Sequence, residues 1–260
     1  MNKNGIYSKY IYILSFLLIG LNISGYFINP LTKYENLAMN NYYDENYPSG
    51  YLYDDINIDY LKQIYNKEIP NLSVEAINDE IFTSIRHSDL RKVEIYENWL
   101  IFTLGKIYEP ISRTQNPYRI INGGVGECAE QVAILNYISN QYGWASRFIG
   151  LNEHVISEIK TESGWVVADP HYGVYFDMSF EELQNTEKED IFKILNEKGY
   201  GIEFSDWYIR VMRTEEDNKI LEVGEAISPR LDMFEKFSDI LKWIFPILLL
   251  FLTQISYRKS

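Results

Sequence analysis

The sequence predicts an α+β domain, helices packed on an antiparallel sheet, flanked by two transmembrane helices. Three observations carry this. Helical periodicity fills much of residues 57 to 143, and most β-type segments come after it, a segregation that marks α+β rather than α/β architecture. Two of those segments read as strand, turn, strand, which makes their pairing antiparallel. An apolar run stands near each end of the 260-residue chain.

Residues 1 to 9 form a basic tail with Lys3 and Lys9, and "YIYILSFLLIGLNISGYFI" follows at residues 10 to 28. That run carries no charge and is long enough to cross a bilayer. A cleaved signal peptide is the alternative, but the run is long for a signal and no clear small-residue cleavage site follows. Residues 29 to 56 are rich in Asn, Asp and Tyr and read as a linker leaving the membrane. The domain is expected over 57 to 239. It opens with three helical stretches, "NIDYLKQIYN", "SVEAINDEIFTSIRHS" and "RKVEIYENWLIFTLGKIY". Ser73 is the N-cap of the second, with Ile77, Ile81 and Ile85 at helical spacing; Val93, Tyr96, Leu100 and Leu104 pattern the third. His87 then falls near the end of the second helix, as a partner for its dipole.

After the turn-rich "EPISRTQNPYRIINGGVGE", the helix "CAEQVAILNYISNQYG" ends at Gly143, a suitable helix-stop residue. Strands follow at "SRFIGL", "EHVISEIK", "GWVVADP" and "GVYFDM". Residues 179 to 198 read as helical and "WYIRVMR" as another strand. "SPRLDMFEKFSDILKW", capped by Ser228 with Pro229 at the first helical position, runs into the second apolar run, residues 240 to 256. That run has no polar face, which favours a membrane span over a buried helix. Arg258 and Lys259 lie in the last tail, 257 to 260. The positive-inside rule places both tails in the cytoplasm and the domain outside.

Composition removes several function classes. A formal net charge of −13 opposes nucleic-acid binding, which needs clustered Lys and Arg. The single cysteine, Cys128, excludes an intrachain disulfide and a Cys-cluster metal site. His87, His154 and His171 form no HExxH-type pattern, so neither metal nor cofactor is expected.

The chemistry centres on "GGVGECAEQVAIL", residues 123 to 135. Cys128 stands at a helix start, where the dipole favours a thiolate and unpaired N–H groups can receive an oxyanion. Gly124 and Gly126 would give a substrate backbone room. A lone cysteine is otherwise an ordinary small core residue, and a phosphate loop lacks its GK[ST] ending here. A cysteine nucleophile needs a base, and the base an orienter. In the hairpin "NEHVISEIKTESGWVVADP", an odd register sum puts His154 and Asp169 on one face with Ile156, Trp165 and Val167, facing directly or diagonally. Val155, Ile159, Val166 and Ala168 then face the other way. An even sum would separate His154 from Asp169, so the pattern permits the pair without requiring it.

These segments resemble the core of the transglutaminase-like superfamily, whose domains share a papain-like fold. The matching residues are Gly126-Glu127-Cys128 at a helix start, Gly143, Trp144-Ala145-Ser146-Arg147, His154 on a strand, and Gly164-Trp165 leading to Asp169-Pro170 on the next. The match covers roughly residues 90 to 176. The resemblance implies a nucleophile at Cys128, a general base and acid at His154 and an orienter at Asp169. His171 is the competing base, disfavoured because a triad needs its base on a neighbouring strand. Asn122 and Gln115 are candidates for a side chain that helps the oxyanion, and Gly124, Gly126 and Trp165 for the substrate cleft. The Cys-to-His interval is shorter than the family's, which leaves little loop to shape a cleft. The expected activity is acyl transfer through a thioester, with hydrolysis of peptide or isopeptide bonds of a cell-envelope protein or peptide favoured. The alternatives are a true cross-linking transglutaminase and a non-catalytic module that binds peptide or glycan beside a membrane complex.

Overall fold

The structure, a computed structural model, describes residues 3–28, 58–88, 91–152, 154–213 and 218–258. The expected linker at 29–56 lies outside the described residues. The chain divides into two compact units, one of residues 30–91 and 116–227, the other of 1–29, 92–115 and 228–260. Helices and an antiparallel sheet are both present, as an α+β chain requires.

The first unit is built on a five-stranded antiparallel sheet. Its strands are β3 (Ala145–Gly150), β4 (Val155–Lys160), β5 (Trp165–Asp169), β6 (Val174–Phe176) and β7 (Lys219–Ile220), in the order β6-β5-β4-β3-β7. Lys160 pairs with Trp165 and Ser157 with Ala168, so the register sum is odd and the turn is the four-residue Thr161–Gly164. The Thr161 N–H donates to the Gly164 carbonyl at 2.8 Å. Side chains alternate across such a strand, and the burial pattern follows. Ile156 and Val167 point into one core and Ile159, Val166 and Ala168 into another.

Helices cover both faces. On one side lie α2 (Ile58–Tyr65), α3 (Val74–Ser84), α5 (Pro117–Gly123) and α6 (Cys128–Gln141), which bury Leu61, Ile77, Ile81, Ile120, Ile134 and Ile138. Ser73 caps α3, its hydroxyl accepting from the Ala76 N–H at 3.1 Å. On the other side are α7 (Phe180–Asn185), α8 (Lys188–Glu197) and α9 (Ile202–Arg213), with Phe180, Leu195, Phe204, Tyr208 and Met212 buried against the sheet. Each buried side chain of this size contributes about 1.5–3 kcal/mol.

Three sequence expectations need correction here. "WYIRVMR" is the second half of α9, not a strand. The register Phe204, Tyr208, Val211, Met212 has helical spacing, and those residues are buried. His87 is not at a helix end. The helix stops at Ser84 because Ile85 turns to extended backbone, and Arg86–His87 forms β1, which pairs in parallel with β2 (Val125–Gly126). The expected third helix shrinks to α4 (Trp99–Gly105), because the Asn98 side chain accepts from the Leu100 and Ile101 N–H groups and starts the helix there.

The second unit contains α4, α1 (Lys3–Ser24) and α10 (Pro229–Arg258), with α1 packed along α10. Among the described residues one helix, over Pro229–Ile255, is long and apolar enough to cross a membrane. Two such spans were expected. The first run stays helical only to Ser24, and its apolar stretch, Ser8–Ser24, falls short of the roughly 20 residues a bilayer asks for. Asn22 in its last turn donates to the Lys242 carbonyl at 2.6 Å.

Candidate active site

Cys128 is the first residue of α6, and the local sequence explains why the helix begins there. α5 ends at Gly124, whose φ of 65° is left-handed; its N–H closes on the Ile120 and Ile121 carbonyls. That conformation is open to glycine at little cost. Val125 and Gly126 then pair with β1, and Gly126 is packed tightly. A Cβ there would lie 3.0 Å from Ile120 Cγ2 and 3.2 Å from Glu130 Cβ. Glu127 is the N-cap, and its N–H donates to Glu130 Oε2 at 2.8 Å within a capping box. Both glycines therefore have folding duties, stopping one helix and seating the start of the next. Cys128 is left half-buried at that start.

His154 lies just before β4 and Asp169 ends β5. The observed register makes them diagonal neighbours, and His154 Nε2 lies 2.6 Å from Asp169 Oδ2. His154 is 4% exposed and Asp169 is fully buried. The Cys128 side chain also interacts with this imidazole. Burial alone pushes the imidazole down, but the Asp169 charge and hydrogen bond, with Cys128, outweigh it and raise His154 to about 10. At neutral pH the ring carries a proton, the state that pairs with a thiolate.

Asp169 is held by four donors. Oδ1 accepts from the backbone N–H groups of His171 at 3.0 Å and Tyr172 at 3.4 Å. Oδ2 accepts from His154 and from the Tyr208 hydroxyl at 2.9 Å. A buried carboxylate survives only with such compensation. His171 thus meets Asp169 through its main chain. Its ring turns instead to His87, Nδ1 to Nδ1 at 3.1 Å. Burial, then the nearby His87 and His154 rings, push His171 well below its ordinary value. It is a neutral neighbour, and His154 is the ring in contact with both Asp169 and Cys128.

The remaining candidates have these surroundings. Asn122 sits half-buried in the last turn of α5. Gln115 belongs to the second unit, where its N–H donates to Glu235 Oε2 at 2.9 Å. Trp165 opens β5, four residues from Asp169 and so about 13 Å along the strand. There it lies under the Arg147 guanidinium, 4.6 Å from the ring centroid, while Arg147 itself pairs with buried Glu158 at 2.6 Å. Among the described residues no group of three or more His, Cys, Asp or Glu is arranged to hold a metal ion.

Two residues at the site were not singled out as site residues from sequence. Tyr208 was hidden in a segment read as a strand. His87 was assigned to a helix end, yet its strand pairs with Gly126, two residues before Cys128. No protein-family model matches the chain, and no curated protein matches it significantly.

Proposed function

We propose that this chain is a membrane-anchored cysteine enzyme of transglutaminase-like type, with a papain-like core, that transfers acyl groups through a thioester. One observation carries the reading. One imidazole is hydrogen-bonded to Asp169 and interacts with the sole cysteine, which stands at a helix N-terminus. Cys128 attacks the carbonyl carbon of an amide, and the π-electrons move to oxygen. N–H groups of the first turn of α6 receive that oxyanion. On collapse the C–N bond breaks, and the imidazolium of His154 gives its proton to the leaving amine. His154, now neutral, takes a proton from water as the water attacks the thioester; the C–S bond breaks, the acid leaves, and the Cys128 thiolate is restored beside the imidazolium. Peptide or isopeptide hydrolysis is preferred over cross-linking because the sequence marks no amine-acceptor site.

The membrane part of the proposal is two-pass, with both tails cytoplasmic and the domain outside. It rests on helix Pro229–Ile255 and on the basic residues Lys3, Lys9, Arg258 and Lys259 in the tails.

The test uses the only thiol in the chain. Iodoacetamide should label Cys128 at pH 6 to 7 at least about tenfold faster than in His154→Ala, because only the thiolate reacts. Equal rates in the two proteins would overturn the reading. Comparing cell-envelope peptides from cells with wild-type protein and with Cys128→Ala then identifies the amide that is cut.

A further inference from the structure

The geometry points to Tyr208 as a positioning residue for this site, its buried hydroxyl fixing the Asp169 oxygen that faces His154. The inference rests on the cysteine-enzyme reading above and adds a residue from outside the segments that carry the resemblance.

The β5–β6 turn holds Asp169 first. Pro170 has no N–H, so the two donors that follow, His171 and Tyr172, both close on Oδ1. They tether one oxygen. A carboxylate tethered at one oxygen can still pivot, and the pivot would carry Oδ2 away from the imidazole. The second tether comes from α9. Tyr208 is fully buried, and its hydroxyl meets Oδ2 at 2.9 Å. The same end of the helical layer braces the turn again, since the Tyr200 hydroxyl donates to the Tyr172 carbonyl at 2.5 Å.

The groups around Asp169 can be named from each element. His154 comes from the start of β4 and brings Cys128 of α6 behind it. His171 and Tyr172 come from the turn, with His87 of β1 behind His171. Tyr208 comes from α9, and Tyr200 precedes that helix. Burial and the Asp169 charge hold the Tyr208 hydroxyl well above its ordinary value, so it remains a donor. A hydroxyl on Oδ2 also draws charge from the atom that binds His154. Removing it should leave the His154–Asp169 hydrogen bond electrostatically stronger and its direction less fixed.

The experiment is proton NMR of the full chain in detergent micelles, with 15N-labelled histidine. The sequence has three histidines, and His154→Gln assigns the His154 Nε2–H resonance by its loss. Tyr208→Phe keeps the ring in place and deletes the hydroxyl. It should move that resonance downfield and slow acylation of Cys128 by a p-nitrophenyl ester. Phe176→Leu is the control, since Phe176 packs near the Tyr208 ring, 6.4 Å between centroids, and has no group that can hydrogen-bond Asp169. It should leave the resonance in place. An unmoved resonance in Tyr208→Phe, or an equal shift in Phe176→Leu, overturns the positioning role while the enzyme reading stands. A wild-type spectrum with no hydrogen-bonded His154 proton, together with alkylation indifferent to His154→Ala, overturns both.

Discussion

His154 and His171 sit on opposite sides of one carboxylate, and burial decides differently for each. His154 faces the Asp169 side chain, so the charged form wins despite desolvation. His171 offers that carboxylate only its main chain, so its ring stays neutral. The two should leave opposite marks on stability. His154 has its folded value raised from 6.5 to about 10, so the fold binds its proton more tightly than the unfolded chain does. That stabilisation is complete below about pH 6.5 and is lost as pH rises to about 10. Thermal denaturation should therefore show a decline across that window that flattens in His154→Gln. His171 is depressed, so its contribution is present above about 6.5 and is lost as pH falls. The acid-side decline should be smaller in His171→Asn. The grouping of Cys128, His154 and Asp169 was legible in sequence because each is tied to a local signal, a helix start, a strand start and an Asp-Pro turn. His87 and Tyr208 had no such signal. One reaches the site through a two-residue parallel pairing and the other through tertiary packing of α9.

Among the elements, the hairpin was the most legible and α9 the least. Period-two alternation over two adjacent segments leaves few registers, and the odd sum with His154 and Asp169 diagonal is one of those the sequence permits. "WYIRVMR" failed because seven residues rich in aromatic and β-branched types look like a strand when cut off from Ile202 to Asp206. Only the longer window, with Phe204, exposes the 3.6 period. The turns that feed the site make a sharper test of how elements hold it. Gly124→Ala places a Cβ in a left-handed position and should cost roughly 1 kcal/mol, with little effect on Cys128 labelling if α6 still starts at the same residue. Gly173 also has a left-handed φ, 61°, and an added Cβ would lie 2.6 Å from Phe82 Cδ1. Gly173→Ala should therefore destabilise further, by roughly 1–3 kcal/mol for the overlap alone. Because the same turn brings the His171 and Tyr172 N–H groups to Asp169, it should also slow Cys128 alkylation. Urea unfolding and iodoacetamide labelling of the two variants read these effects side by side.

For the whole molecule the open contrast is between one crossing and two. Helix Pro229–Ile255 meets the length and polarity of a span, whereas the apolar stretch Ser8–Ser24 is shorter. A short stretch can still cross if the lysine at its start, Lys9, extends its ammonium group toward the headgroups. The packing of α1 along α10, with the Asn22 amide satisfied on the Lys242 carbonyl, removes a cost that an unpaired amide would carry in lipid. The two arrangements put the N-terminus on opposite sides. With two crossings, Lys3 lies in the cytoplasm, on the side of Arg258, and the Cys128 unit lies outside. With one, the N-terminus stays with that unit. A Cys128→Ala chain carrying Asn4→Cys places a single thiol beside Lys3. A membrane-impermeant maleimide should label it only after the cells are permeabilised. Labelling in intact cells would rule out the two-pass arrangement and leave α10 as the sole anchor. Protease added to intact cells gives the second readout. It should cut within residues 60 to 230, and protection of that region would reverse the orientation drawn from the basic tails.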